Sequence, residues 1–122
     1  MPMYIDGFIL PIPKKRLADY KKIATAASKI WKRNGAVAYV EAAGEDMNAP
    51  GMIEYPTLAK AKKDEVVIFA WAMFKSKAAR NKANQALMTD PQMIKLMERM
   101  NANPIMDCKR MAYGGFNVIV KA

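Results

Sequence analysis

The sequence predicts an α+β fold, and three observations carry that prediction. Short β-branched and aromatic runs stand near both ends and in the middle of the chain. Two long stretches between them repeat their apolar residues every three or four positions. An uninterrupted apolar run, Val66 to Phe74, reads as a strand buried on both faces. In chain order the elements read β-α-β-β-α-β. Two βαβ halves of this kind make a four-stranded antiparallel sheet with the helices on one face, the ferredoxin-like arrangement.

Tyr4 to Leu10 is the first strand, and Pro11-Ile12-Pro13 is expected to end it. From Lys14 to Asn34 the pattern is helical, with Leu17, Tyr20, Ala24, Ala27 and Trp31 on one stripe and Ile23 and Ile30 widening it. Asn34-Gly35 supplies the stop, since both residues tolerate the left-handed conformation. Ala36 to Ala42 reads as the second strand. Gly44 to Glu65 is polar or broken by proline and glycine, with a helical turn expected at Thr57 to Lys62 and a turn at Lys63-Asp64. A connection that long suggests a lid or a mobile segment. Val66 to Phe74 is the third strand. Ser76 is a good N-cap for a helix from Lys77 to Met88, and Thr89-Asp90-Pro91 ends it and caps another. Asn101 to Pro104 is a loop, and Lys109 to Lys121 reads as the last strand, with Gly114-Gly115 marking a bulge or bend.

Helices on one face leave the other face of the sheet bare. In the third strand Val67, Phe69, Trp71 and Met73 point one way, and Val66, Ile68, Ala70, Ala72 and Phe74 the other. A strand with one wet face alternates apolar and polar residues, and this one does not. A second copy packing sheet against sheet covers the extra apolar face; the alternative is that the long loop folds over it within one chain.

With 122 residues the chain fits a single domain, 1–122, that needs no metal or disulfide staple. A hydrophobic fraction of 52% and a charged fraction of 25% are those of a folded protein. The one cysteine, Cys108, permits no internal disulfide and fits a reducing, cytoplasmic location. No basic leader precedes an apolar core, and no apolar run approaches the ~20 residues of a membrane span. The absence of histidine excludes histidine-based triads, histidine metal sites and a proximal-histidine haem.

Several segments resemble one bacterial family. Tyr4-Ile5-Asp6-Gly7-Phe8-Ile9-Leu10-Pro11-Ile12-Pro13, Ile30-Trp31-Lys32-Arg33-Asn34-Gly35-Ala36 and Val67-Ile68-Phe69-Ala70-Trp71 are similar to the YbaA-like proteins, the domain-of-unknown-function family DUF1428. Ser76-Lys77-Ala78-Ala79-Arg80-Asn81, Met88-Thr89-Asp90-Pro91 and Lys109-Arg110-Met111-Ala112-Tyr113-Gly114-Gly115-Phe116 extend the resemblance over nearly the whole chain. It implies a dimeric α+β barrel, two ferredoxin-like units joined sheet to sheet. It implies no reaction, although the wider superfamily includes haem-degrading and quinone-forming monooxygenases.

The residues show no recognisable catalytic constellation and point to no cofactor or metal. Glu45 and Asp46 read as a solvated loop end. Glu41, a carboxylate within a strand, faces a pocket in this reading, with Asp6 as its companion. Cys108 lies beside Lys109 and Arg110 but has no histidine base. Met88, Met93, Met97, Met100, Met106 and Met111 raise copper(I) ligation, yet the spacing of Met93, Met97 and Met100 is helical and fits core packing better.

The net charge is +9, from 20 Lys+Arg against 11 Asp+Glu. Lys15, Lys22, Lys29 and Arg33 lie on or near the side opposite the apolar stripe, and Lys77 opens a second basic cluster. Two functions follow. The first is a small-molecule site between helices and sheet in a homodimer, walled by Phe8, Tyr39, Phe69, Trp71 and Tyr113, with Asp6, Glu41 and Arg80 as polar groups. The alternative is an accessory protein that holds RNA or another polyanion on the basic helix face.

Overall fold

A computed structural model describes residues 2–122. Strand β1 (Tyr4–Pro13) leads through a 3-10 turn into helix α1 (Leu17–Arg33), and β2 (Ala38–Ala43) follows. A short helix α2 (Tyr55–Leu58) interrupts the long connection to β3 (Glu65–Phe74). Helices α3 (Lys77–Thr89) and α4 (Pro91–Ala102) then precede β4 (Ala112–Asn117). The sheet order is β2-β3-β1-β4 and every pairing is antiparallel, which is the ferredoxin-like arrangement.

β1 runs through its prolines, contrary to the expectation that they end it. The Lys14 amide donates to the Asp64 carbonyl at 2.8 Å, so even-numbered amides of β1 face β3. Pro11 and Pro13 therefore turn their missing N–H toward the β4 side, where pairing has already ended at Ile9. Proline costs no ladder bond there.

Gly35 adopts φ +119° after α1, a conformation that glycine alone enters freely. Ser76 caps α3 by accepting from the Ala79 amide, and Asp90 caps α4 by accepting from Gln92 and Met93. The last strand starts later than expected because Cys108–Arg110 forms a 3-10 turn, and it ends at Asn117, the partner of Tyr4 at the start of β1. Gly114 and Gly115 lie in regular register with Gly7 and Asp6, so they form no bulge. At Gly115 a Cβ would meet the Tyr4 ring 2.7 Å away, and glycine is needed for that close approach.

Leu10, Ile12, Ile68 and Ala70 of the inner sheet face pack with Tyr20 of α1. Ala72 and Phe74 pack with Ala83 of α3. α4 lies against α1 and α3 through Leu96, which joins Ile30 and Leu87. The outer face is only partly covered within one chain, and the cover comes from the long loop. The α2 segment closes one end, where Pro11 and Val67 are buried and Tyr55 meets Phe69 edge-on, 6.2 Å between ring centres. Beyond it Val40, Phe69 and Phe116 remain 39%, 44% and 60% exposed.

Candidate functional site

One row of residues crosses the inner face from edge to edge. Glu41 of β2 pairs with Ala70 of β3, Ala70 with Phe8 of β1, and Phe8 with Tyr113 of β4. Ala70 is small and leaves room under the helices. Two adjoining cavities lie there, of about 410 Å³ and about 330 Å³. Tyr20, Ala24, Tyr39 and Glu41 line both and form the wall between them. The larger opens along α1, past Lys21, Thr25 and Ser28. The smaller reaches inward to Phe8 and Trp31 and is lined by Met93, Met97, Met100, Met106 and Met111.

Glu41 accepts from Tyr39 through Oε2 at 2.7 Å, and its Oε1 accepts a short bond from Tyr20. Tyr39 lies two residues earlier on the same strand face, while Tyr20 comes from the apolar stripe of α1. Burial, then the Glu41 charge, pushes both phenols well above their ordinary range. They stay protonated at physiological pH, so they donate and the carboxylate accepts. A carboxylate oxygen offers about two lone-pair sites, so each Glu41 oxygen keeps capacity after taking one phenol. Among the described residues no Lys or Arg forms an ion pair with Glu41.

A second polar cluster lies one row further along. Asp6 is fully buried, with Oδ1 3.1 Å from Arg80 Nε and accepting from the Tyr113 hydroxyl at 3.2 Å. Arg80 also donates to the Tyr4 hydroxyl at 3.2 Å, and its guanidinium lies 4.7 Å above the Tyr4 ring. Burial raises the Asp6 pKa, and Arg80 opposes that shift. Asp6 Oδ2 has no hydrogen-bond partner among the described residues.

The structure thus brings Tyr39, Glu41 and Phe8 to the cavities and places Asp6, Arg80 and Tyr113 in a separate cluster. Glu41 and Asp6 are not companions, because each belongs to its own set of donors. Tyr113 touches the cavity wall only through Phe8, its ring 4.9 Å from the Phe8 ring. Phe69 and Trp71 do not line the inner cavities. Strand alternation turns them to the outer face, where Trp71 pairs with Val40 and Gly7. Of the basic residues, Lys15, Lys22, Lys29 and Lys77 are exposed. Arg33 is tied to Asp90 at 2.8 Å, where it fastens the end of α1 to the start of α4. Cys108 is exposed in its turn.

Tyr20 is the principal residue that sequence reasoning missed, having been assigned to the core stripe. The signal was its hydroxyl, since a buried tyrosine needs a partner for that group. The methionine cluster packs as expected, with Met93, Met100, Met106 and Met111 against the core, and these four together with Met97 also line a cavity. Among the described residues no group of three or more Cys, Asp or Glu side chains could hold a metal ion, and no helix is long and apolar enough to cross a membrane.

Residues 3–107 match the family described as "Protein of unknown function (DUF1428)". The chain is 35% identical over 117 residues to the uncharacterized protein YbaA of Escherichia coli strain K12, covering 96% of this chain and 97% of that protein. Among solved structures it is similar to SnoaB, a cofactor-independent oxygenase from Streptomyces nogalater, with a TM-score of 0.61 at 13% identity, over 99% of this chain and 97% of that one. A dimeric ferredoxin-like protein from an uncultured marine organism matches over 100% of both chains, with a TM-score of 0.55 at 11% identity. At such identities the likeness shows the fold.

Proposed function

This chain belongs to the DUF1428 family, proteins of unknown function, and on that footing we propose that it is a homodimeric small-molecule-binding protein. The chain acts as one folded unit and takes its ligand under α1 and α4, with Glu41 as the polar anchor. The observation that carries this reading is the shared wall of the two cavities. A strand carboxylate held by two phenols stands in surroundings that are otherwise mostly apolar. Ligand sites have this character, a mostly apolar hollow with a few placed polar groups.

The homodimer is supported by the open outer face. Val40, Phe69 and Phe116 lie exposed on one side of the sheet, and burying each large apolar side chain is favourable by roughly 1.5–3 kcal/mol. The dimeric protein of the same fold supports pairing as well. Sedimentation at micromolar concentration should give a dimer, and Phe69→Glu should shift it to monomer. A wild-type monomer would sink the dimer half of the reading.

The pocket is tested with 2-phenylethanol as a neutral aromatic probe. Trp31 lines the inner cavity, so Trp71→Phe leaves one tryptophan to report on it. Saturable quenching is expected, and Ala24→Phe, which fills the shared wall, should abolish it with the circular dichroism unchanged. A linear response that Ala24→Phe leaves intact would overturn the pocket.

A further inference from the structure

Resting on the pocket reading, we infer that the natural ligand is an organic cation, a protonated amine on an apolar or aromatic body, held by Glu41. Three other carboxylates packed into the fold each have a cation, while Glu54, half-buried in the long loop and lining neither cavity, accepts from the Ala49 amide instead. Asp6 pairs with Arg80, Glu65 with Arg110 and Asp90 with Arg33. Glu41 lines two cavities and has none among the described residues.

Two phenols satisfy part of its hydrogen bonding but bring no positive charge. Glu41 is half-buried with no counter-charge, and an ammonium group supplies charge and donors together. The remaining lone pair on each oxygen leaves room for such a donor. A neutral alcohol would supply a hydrogen bond only, and an anion would meet repulsion. Tyr20, Tyr39, Trp31 and Phe8 provide aromatic surface of the kind that attracts cations. Methionine thioethers beside them are polarizable and adapt to the body of the ligand. Lys21 lines the outer cavity but is exposed and forms no ion pair with Glu41. The net charge of +9 slows the approach of a cation, and that effect fades once salt screens it.

The test compares 2-phenylethylamine with 2-phenylethanol, its neutral counterpart, by calorimetry on the full chain at physiological salt. The amine is expected to bind about tenfold or more tightly than the alcohol, a difference typical of a charge-assisted contact. Glu41→Gln keeps the size and an acceptor but not the charge, and should erase the amine's advantage over the alcohol. An unchanged circular dichroism spectrum and urea midpoint show that this variant is folded. Equal wild-type affinities, or an amine preference that survives in Glu41→Gln, would overturn the cation while the pocket stands. If neither compound binds the wild-type protein, the pocket reading and this inference fall together.

Discussion

Asp6 at the centre of the inner sheet face is fully buried, and the cation that holds it is Arg80 of α3, Nε to Oδ1 3.1 Å. The pair joins the first strand to the second helical half. Removing one partner of a buried pair typically costs about 3–5 kcal/mol, because the other charge is left uncompensated. Arg80→Met should therefore lower the urea midpoint strongly. The folded pKa of Asp6 is already raised above 3.8, so its charge weakens the fold increasingly as pH climbs above that value. Without Arg80 the raise grows, and the deficit of Arg80→Met should shrink as pH falls toward 4. A deficit that does not change with pH would contradict this account.

Glu65 and Asp90 behave oppositely. Hydrogen bonds from Arg110 hold the Glu65 carboxyl at about 2 against an ordinary 4.5, and those from Arg33 and then Asn34 hold Asp90 at about 2 against 3.8. A depressed folded pKa gives stability that is present above the unfolded value and lost as pH falls through the folded one. The melting temperature should fall between about pH 4.5 and pH 2, and Arg110→Met should flatten that fall. Thermal scans across that window decide it.

Tyr20→Phe removes one of the two donors to Glu41. Leaving a partly buried acceptor short of a bond costs roughly 1–3 kcal/mol. The midpoint in urea should drop with the slope unchanged. The Tyr20→Phe, Tyr39→Phe double variant should depart from additivity, since both bonds end on one carboxylate. Strict additivity would mean that the three side chains do not act together.

The two adjacent glycines of β4 should differ sharply. A Cβ at Gly115 meets the Arg80 guanidinium and the Tyr4 hydroxyl first and the Tyr4 ring at 2.7 Å, whereas at Gly114 the nearest atom is on the Phe116 ring at 3.7 Å. Gly115→Ala should cost about 1–3 kcal/mol through overpacking, and Gly114→Ala should fold nearly as well as the parent. Equal midpoints for the two would refute the close approach at Gly115.

Most elements were legible in the sequence because their signals are local. The three-and-four spacing from Leu17 to Trp31 made α1, and Asp90-Pro91 both ended α3 and capped α4. The alternation of β3 already separated Phe69 and Trp71 from Ile68 and Ala70. Placing all the aromatics in one pocket overlooked that parity. The extension of β1 through Pro11 and Pro13 was hidden because it depends on where a different strand, β4, stops pairing.

By itself the sequence determined the periodicities, the caps, the order of elements and the excluded histidine chemistries, since each follows from residues within a turn or two of one another. Only the tertiary structure decided that Tyr20 reaches Glu41, that Asp6 goes with Arg80 instead, and that five methionines line a cavity. Those meetings depend on strand register and on how helices lie across the sheet. Both are set by packing between segments far apart in the chain, which no local pattern encodes.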